Sequence, residues 1–315
     1  MWPSRIACSA LLVVAALGPC GIAAADPPRV VASIAPIHSL VAGVMEGVAS
    51  PSLIVRGYGS PHDYRLRPSE AAALADADLV FRVGRSLDGC LERALSTLAR
   101  DARVVEVLAL DGLTLLGARA GGLWPDEPEE PAPEPHQDHV DPHVWLDAGN
   151  AGRIVTEAMR RLAEADPANA PIYASNAAAV MRRIDATDRA LGRRLADLHD
   201  IPYFVAHDSF QYFERRYRLR ALGSISATPE RLPGARRLRE IRSAITAQGV
   251  RCVFHEPQFE PALIDSILEG TEVNRGVLDP LGARFTPGPN AYFQMLTANA
   301  AALVSCLTGG GFTRC

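Results

Sequence analysis

Three histidines and one aspartate, each placed next to a short apolar run, are the residues of this chain best suited to bind a metal ion. They are His62 in P-H-D-Y, His143 in D-P-H-V-W-L-D, His207 in Y-F-V-A-H-D and Asp279 in G-V-L-D-P. Neutral imidazoles and one carboxylate form the donor set that a tetrahedral Zn²⁺ site takes. Because the four lie far apart in sequence, the site must assemble at the ends of strands, where open α/β sheets place their ligands.

The segments that must position these residues alternate between strand and helix patterns. Strands are predicted at Val30–Ile34, Leu53–Val55, Leu79–Val83, Arg103–Val107, Tyr203–Ala206, Arg251–Phe254 and Gly276–Leu278. Helices are predicted at Ile37–Met45, Pro68–Ala75, Leu87–Leu98, 168–198, Ala235–Ala247, Ala262–Leu268 and Asn290–Leu307, with one more from Ser209. This alternation predicts βαβ units and a mainly parallel sheet. The helix at 168–198 is the longest and lies mid-chain, where a rigid connector between two lobes would belong.

The N-terminus has the composition of a secretory signal. Arg5 supplies a positive start, 6–17 an apolar stretch and 23–25 small residues for cleavage, so residues 1–25 are predicted to be removed on export. Cys20 leaves a lipid-anchored protein as the alternative. No later stretch approaches the ~18 apolar residues of a membrane span. We therefore expect a soluble, exported mature protein.

Acidic side chains outnumber basic ones, 36 against 32, and the net charge is −4. This balance gives no basic footprint for nucleic acid and mildly favours a cation as the ligand. Residues 124–142 are rich in proline and acid and nearly free of apolar side chains, so we expect an exposed loop. His136 and His139 near its end are candidates for a weak secondary metal site, and a solvated linker is the alternative.

Several longer motifs, in the same order, resemble the solute-binding proteins of zinc and manganese ABC transporters, the cluster A-I group. P-H-D-Y-R-L-R-P-S, A-D-L-V-F-R-V-G, D-P-H-V-W-L-D and F-V-A-H-D-S-F-Q-Y-F are similar to its first-lobe and ligand segments. P-G-A-R-R-L-R-E-I, C-V-F-H-E-P-Q-F and V-L-D-P-L-G resemble second-lobe signatures of its zinc-specific branch. The resemblance runs over nearly the whole mature chain.

The resemblance implies two α/β lobes of mainly parallel sheet flanked by helices, joined by one long helix, with the metal between the lobes. The expected divisions are an N-terminal lobe at 26–165, the connecting helix at 166–199 and a C-terminal lobe at 200–315. Ligand roles are carried onto His62, His143 and His207. Histidine at the third position goes with zinc proteins of the family, and a third imidazole in place of a hard carboxylate also favours zinc over manganese on chemical grounds.

The fourth ligand is open between Asp279 and water. Some zinc proteins of this family have a glutamate before the first histidine, but Pro61 occupies that position here and cannot coordinate. We favour Asp279, because its counterpart is a ligand in many members and its charge would make the buried site less positive. Asp208 is a candidate to orient His207. The resemblance gives Glu256 a place near the site, orienting a ligand or tying the lobes together.

The cysteines of the mature chain bear on its stability. Export to an oxidising compartment makes a disulfide plausible, and sequence alone does not say which residues pair. The resemblance pairs Cys252 with Cys306, as in the zinc-specific branch. Cys90 and Cys315 have no recognised counterpart, so both a bond between them and isolated thiols stay open.

The function that the resemblance implies is capture of Zn²⁺ in the periplasm by a monomeric, non-enzymatic protein. The metal would be delivered to an inner-membrane permease driven by an ATPase. Three alternatives remain: a manganese- or iron-binding member of the same family, a lipid-anchored adhesin of that family, and a secreted zinc hydrolase. The hydrolase would use an open fourth position for water, but the sequence contains no H-E-x-x-H motif.

Overall fold

A computed structural model describes residues 26–119, 122–124, 139–226, 234–258 and 261–309. The predicted signal at 1–25, His136 and Cys315 lie outside these residues. Two separate sheets, one built from the first half of the chain and one mainly from the second, are flanked by helices. The predicted α/β fold with two lobes is therefore confirmed.

The first sheet is parallel throughout, with strand order β2-β1-β3-β4. Its strands are β1 (Val30–Ala32), β2 (Ser52–Leu53), β3 (Leu79–Arg82) and β4 (Arg103–Glu106). The helices between them are α1 (Ala35–Val44), α2 (Pro68–Ala75), α3 (Arg85–Asp88) and α4 (Glu92–Leu98). Every residue of β1 and β3 is buried, as expected for central parallel strands covered on both faces.

Two long helices follow the first sheet. They are α5 (Ala148–Ala165) and α6 (Ala170–Leu195), and short 3₁₀ turns flank α6 at Pro167–Asn169 and Ala196–Leu198. The 26 residues of α6 span about 39 Å at the usual rise per residue. The Asp166 carboxylate accepts a 2.8 Å bond from the Tyr173 hydroxyl and so fixes the start of the helix. The predicted long mid-chain helix is confirmed.

The second sheet has the order β5-β7-β6-β8-β9. Its strands are β5 (Gly122–Leu123), β6 (Tyr203–His207), β7 (Ala221–Ser226), β8 (Cys252–His255) and β9 (Asn274–Val277). Helices α7 (Gln211–Tyr217), α8 (Ala235–Ala247) and α9 (Pro261–Leu268) accompany them. All neighbours are parallel except β5, which runs antiparallel to β7. The first part of the chain thus contributes an edge strand to the second sheet, which the predicted lobe boundaries did not anticipate.

The last helix, α10 (Ala291–Leu307), connects the two halves. It packs against β9 and also against α1 and α6 of the first half. A disulfide between Cys252 and Cys306 joins β8 to the end of this helix. One continuous hydrophobic core contains residues of both sheets and of α1, α5, α6 and α10. The lobes therefore share a core, and their relative position is fixed by packing.

Among the described residues, the helices are all too short or too polar to cross a membrane.

Candidate metal centre

His62 lies on a short 3₁₀ turn, Pro61–Asp63, that follows β2 after a glycine-containing bend. Ser60 begins this turn, and its hydroxyl accepts a 3.3 Å bond from the His62 backbone N–H. Gly57, in the bend, has φ of +58°, a conformation that other residues rarely adopt. The imidazole is half-buried. The turn thus brings His62 out of the first sheet toward the second.

His143 is held by the carboxylate of Asp141, two residues earlier. Asp141 Oδ1 accepts a 3.0 Å bond from the His143 backbone N–H and lies 2.7 Å from its ring Nδ1. Asp141 is fixed in turn, since its N–H donates to the Leu116 carbonyl and its carbonyl accepts from the Tyr212 hydroxyl. Donation from Nδ1–H places the ring lone pair on Nε2, the tautomer that a metal ligand needs.

His207 is the last residue of β6 and is almost completely buried, with 4% exposed. Its Nδ1 lies 2.9 Å from Oε1 of Glu256, which directly follows β8. The Ser209 hydroxyl donates a 2.6 Å bond to the same oxygen. Two neighbouring parallel strands therefore lead to a candidate ligand imidazole and to the carboxylate that orients it.

The structure brings the three histidines together. Ligand nitrogens of His62, His143 and His207 all lie within 4.8 Å of one another. Their ring centroids are 5.3 Å apart for His143 and His207, 5.7 Å for His62 and His207, and 6.2 Å for His62 and His143. Tetrahedral Zn²⁺ with bonds of about 2.05 Å needs nitrogens about 3.4 Å apart. Small side-chain adjustments would therefore close the three rings around one ion.

The protonation of the three rings differs with their surroundings. Burial, reinforced by the neighbouring His143 and His207 rings, lowers the pKa of His62 to about 3. Burial alone would lower the pKa of His207 too, but the Glu256 carboxylate outweighs it and raises the pKa. Burial likewise acts to raise the pKa of Glu256, yet His207 and the Ser209 hydroxyl lower it overall. His62 is thus neutral and ready to coordinate, whereas His207 and Glu256 form a charge-assisted pair.

Asp279 lies outside this histidine group. Its Oδ1 accepts bonds from the N–H groups of Leu281 and Gly282, and its Oδ2 accepts a 2.7 Å bond from the N–H of Ala283. Burial raises the pKa of Asp279, and these amides partly offset the effect. The carboxylate therefore closes its own turn, as aspartates at the start of turns commonly do.

Asp208 occupies a different place from the one that the sequence suggested. Its two oxygens bind the guanidinium of Arg119 at 2.9 and 2.5 Å, and Arg119 also lies 2.7 Å from Glu214. The carboxylate at Nδ1 of His207 is that of Glu256. Asp208 acts on His207 through its charge, which contributes to the raised pKa.

The other candidate residues lie apart from the histidine group. His139 is exposed, and its backbone carbonyl accepts a hydrogen bond from the Ala118 N–H. Cys90 is a free, exposed cysteine whose thiol donates to the Pro61 carbonyl at 3.4 Å. Sequence reasoning missed Asp141, which bonds His143, and Ser209, which bonds Glu256. The D-x-H spacing was the available signal for Asp141.

The three rings border a small cavity of about 20 Å³ between the lobes. It is lined by Ser60, Pro61, His62, Leu87, His143, His207, Glu256, Gln258, Pro280 and Leu281. A space of this size accepts an ion or a single water molecule. The arrangement is a candidate site for one small cation.

Comparisons with known proteins place the chain in a family. The family model described as zinc-uptake complex component A, periplasmic, matches residues 30–306. The high-affinity zinc uptake system protein ZnuA of Brucella suis biovar 1 is 39% identical, covering 92% of this chain and 95% of the relative. The protein of that name from Paracoccus denitrificans is 36% identical, covering 95% and 98%. A crystal structure of ZnuA shares the fold with a TM-score of 0.75 at 24% identity, covering 90% of this chain and all of its own. The chain therefore belongs to the zinc-uptake complex component A family.

Proposed function

We propose that this protein captures Zn²⁺ in the periplasm and delivers it to an inner-membrane ABC permease with its ATPase. The observation that carries the proposal is the convergence of His62, His143 and His207, from both halves of the chain, on one small cavity. Family membership supports the transport role, since its members are named as zinc-uptake components. The protein acts as a monomer and catalyses no reaction.

The donor set supports zinc as the cargo rather than manganese or iron. Three imidazoles and an apolar rim offer nitrogen ligands and few oxygens, whereas Mn²⁺ prefers octahedral sites rich in oxygen. Carboxylates at Nδ1 of His143 and His207 make both rings stronger donors. A manganese- or iron-binding member of the family would need a hard ligand in place of one of these rings.

Solvent in the fourth coordination position is better supported than Asp279. The Asp279 carboxylate already accepts three backbone N–H bonds, and it does not line the cavity. Coordination by Asp279 would require the 279–283 turn to give up those bonds. Asp279→Asn separates the alternatives, because a ligand role predicts a large loss of zinc affinity and a turn role predicts a small one.

The hydrolase alternative finds no support in the size of the site. Pockets for organic ligands usually measure about 300–1,000 Å³, whereas the cavity at the three rings measures about 20 Å³. Other clefts of the described chain, of about 480 to 510 Å³, include none of the three histidines in their linings. Hydrolysis of an activated ester that disappears in His207→Ala would contradict the binding role.

Export through a cleaved signal is part of the proposal. Residues 1–25 carry the signal pattern, and the matching family model is described as periplasmic. Mass spectrometry of the exported protein tests it, with an N-terminus at Asp26 expected. A lipid on Cys20 would instead support the anchored adhesin.

A metal titration of the chelator-stripped mature protein tests the function itself. Trp145 emission should report binding, because its ring centroid lies 5.3 Å from that of His143. We expect one tight Zn²⁺ per chain that manganese does not displace, and a loss of affinity by orders of magnitude in His207→Ala. His199→Ala, which removes a histidine away from the cluster, is the matched control. A second zinc ion per chain, bound more weakly, would support a site at His136 and His139. Tighter binding of manganese than of zinc would overturn the assignment of zinc as the cargo.

A further inference from the structure

The side chain of Gln258 has no hydrogen-bond partner within the described residues, although both polar atoms of its amide are buried. It lies two residues after Glu256 and lines the same small cavity as the three histidines. A primary amide can donate two hydrogen bonds and accept two. A buried amide without partners in a native fold calls for an explanation such as an ion or water that completes its bonding.

The cavity at the metal centre offers a partner of the required size. Its volume of about 20 Å³ is enough for one water molecule, and the ion itself would lie between the three ring nitrogens, which lie within 4.8 Å of one another. Three imidazoles leave one corner of a zinc tetrahedron for another ligand. A zinc-bound water has its lone pair on the metal and both hydrogens available, so it needs acceptors. The Gln258 carbonyl is an acceptor that no protein group in the described parts of the chain uses.

We propose that Gln258 positions a zinc-bound water as the fourth ligand and limits the metal to four ligands. The inference rests on the proposed zinc-binding function. In the bound state, Oε1 of Gln258 accepts a hydrogen bond from the water. Glu256, two residues earlier, orients His207 at the same time. The loop after β8 thus controls both one protein ligand and the solvent ligand.

The walls of the cavity extend this role to metal selectivity. Apart from the histidines, much of the lining is apolar, namely Pro61, Leu87, Pro280 and Leu281. These side chains offer no donor to a metal, and with Gln258 they leave no room for a second or third water. Mn²⁺ favours six ligands with octahedral geometry, whereas Zn²⁺ is satisfied with four. The bulk of the Gln258 side chain therefore keeps out the additional waters that six-coordinate Mn²⁺ needs. Its carbonyl favours the single water of four-coordinate Zn²⁺.

Two substitutions separate the hydrogen bond from the volume. Gln258→Leu keeps most of the volume and removes the acceptor, whereas Gln258→Ala removes both. Gln248→Ala is the matched control, since Gln248 is an exposed glutamine at the end of α8. Zinc and manganese affinities are measured by competition titration. Absorption spectra of the Co²⁺-substituted proteins report coordination number, and melting of the metal-free proteins reports folding.

We expect both Gln258 variants to bind zinc roughly 10- to 100-fold more weakly, the usual effect of losing a group that supports a ligand. Gln258→Leu should keep a tetrahedral Co²⁺ spectrum. Gln258→Ala should shift toward five- or six-coordinate Co²⁺ and narrow the preference for zinc over manganese. Unchanged zinc affinity in both variants would overturn the proposal. So would losses that merely follow a lower melting temperature of the metal-free protein, because they indicate a structural role. Failure of the wild-type protein to bind zinc would instead refute the proposed function.

Discussion

Carboxylates hold two of the three candidate ligand imidazoles in orientation. Asp141 bonds Nδ1 of His143, and Glu256 bonds Nδ1 of His207. Such pairs fix the tautomer and raise the basicity of the coordinating nitrogen. The Glu256 pair has a further consequence, because it raises the pKa of His207 while burial lowers that of His62. At the residue scale, the two rings respond to pH differently.

Zinc affinity should therefore fall in mildly acidic solution because of His207. A proton on this ring competes with the metal, and the raised pKa keeps that proton bound up to a higher pH. Glu256→Gln removes the charge that raises the pKa, so burial then dominates and lowers it. We expect the decline of zinc affinity to begin at lower pH in the variant. At about pH 8 the variant should bind roughly 10- to 100-fold more weakly than the wild type.

Zinc titrations between about pH 5 and pH 8, with NMR of the His207 ring, measure both effects. Glu240→Gln is the control, because that carboxylate lies on the outer helix α8 and pairs only with neighbouring arginines in the part of α8 that the structure describes. An identical pH profile in Glu256→Gln and wild type would show that the Glu256 charge does not govern His207.

At the element scale, the sequence predicted the long helix and most strands because their apolar residues repeat with a clear period. β7 was missed because its sequence, A-L-G-S-I-S, is rich in small residues and lacks the strand pattern. Its Gly223 has no side chain where the Gly122 carbonyl of β5 approaches. The two-residue strand β5 could not be predicted either, since it forms only by pairing with β7 across 100 residues of chain.

The same contrast between local sequence pattern and long-range pairing explains which features of the candidate site could be predicted. His62 and His207 were predictable because an apolar run that forms a strand precedes the first and ends at the second. His143 was predictable from its motif, D-P-H-V-W-L-D, in which the apolar residues follow the histidine. The contact of Glu256 with His207 depends on the pairing of β6 with β8, which is set by the fold. The bonds of Asp279 to its own turn are a local alternative that a motif resemblance does not reveal. The grouping of the three histidines was thus predictable, and the hydrogen-bond partners of the candidate ligands were not.

The disulfide stabilises the junction of β8 with α10. Its cysteines are 54 residues apart in sequence and both are buried. Replacing Cys252 and Cys306 together by alanine should lower the free energy of unfolding by about 4 kcal/mol in the chain-entropy model. Zinc affinity should change little, because neither cysteine lines the metal cavity. Denaturant titration measures the change, with Cys90→Ala as the control; equal stability of the double variant and wild type would contradict it.

At the scale of the whole molecule, the lobes are joined by more than the long helix. The buried Trp145 ring donates a 2.8 Å bond from Nε1 to the Pro280 carbonyl. The backbone carbonyl of Trp145 accepts a 2.7 Å bond from the Tyr292 hydroxyl of α10. The Tyr292 backbone N–H donates to the Ser39 hydroxyl of α1. These bonds lie within a hydrophobic core that contains residues of both sheets. The two lobes should therefore unfold together.

Calorimetry of the metal-free protein should accordingly show one unfolding transition, and zinc should move the whole of it upward. A ligand bound only by the folded state stabilises it by about 4 kcal/mol when its free concentration is 1,000 times its dissociation constant. Because His62 and His207 come from different lobes, the shift should include both. His207→Ala should unfold at a temperature that the same zinc concentration hardly changes. Two separate transitions, with only one moved by zinc, would show instead that the lobes are independent and that one of them binds the metal alone.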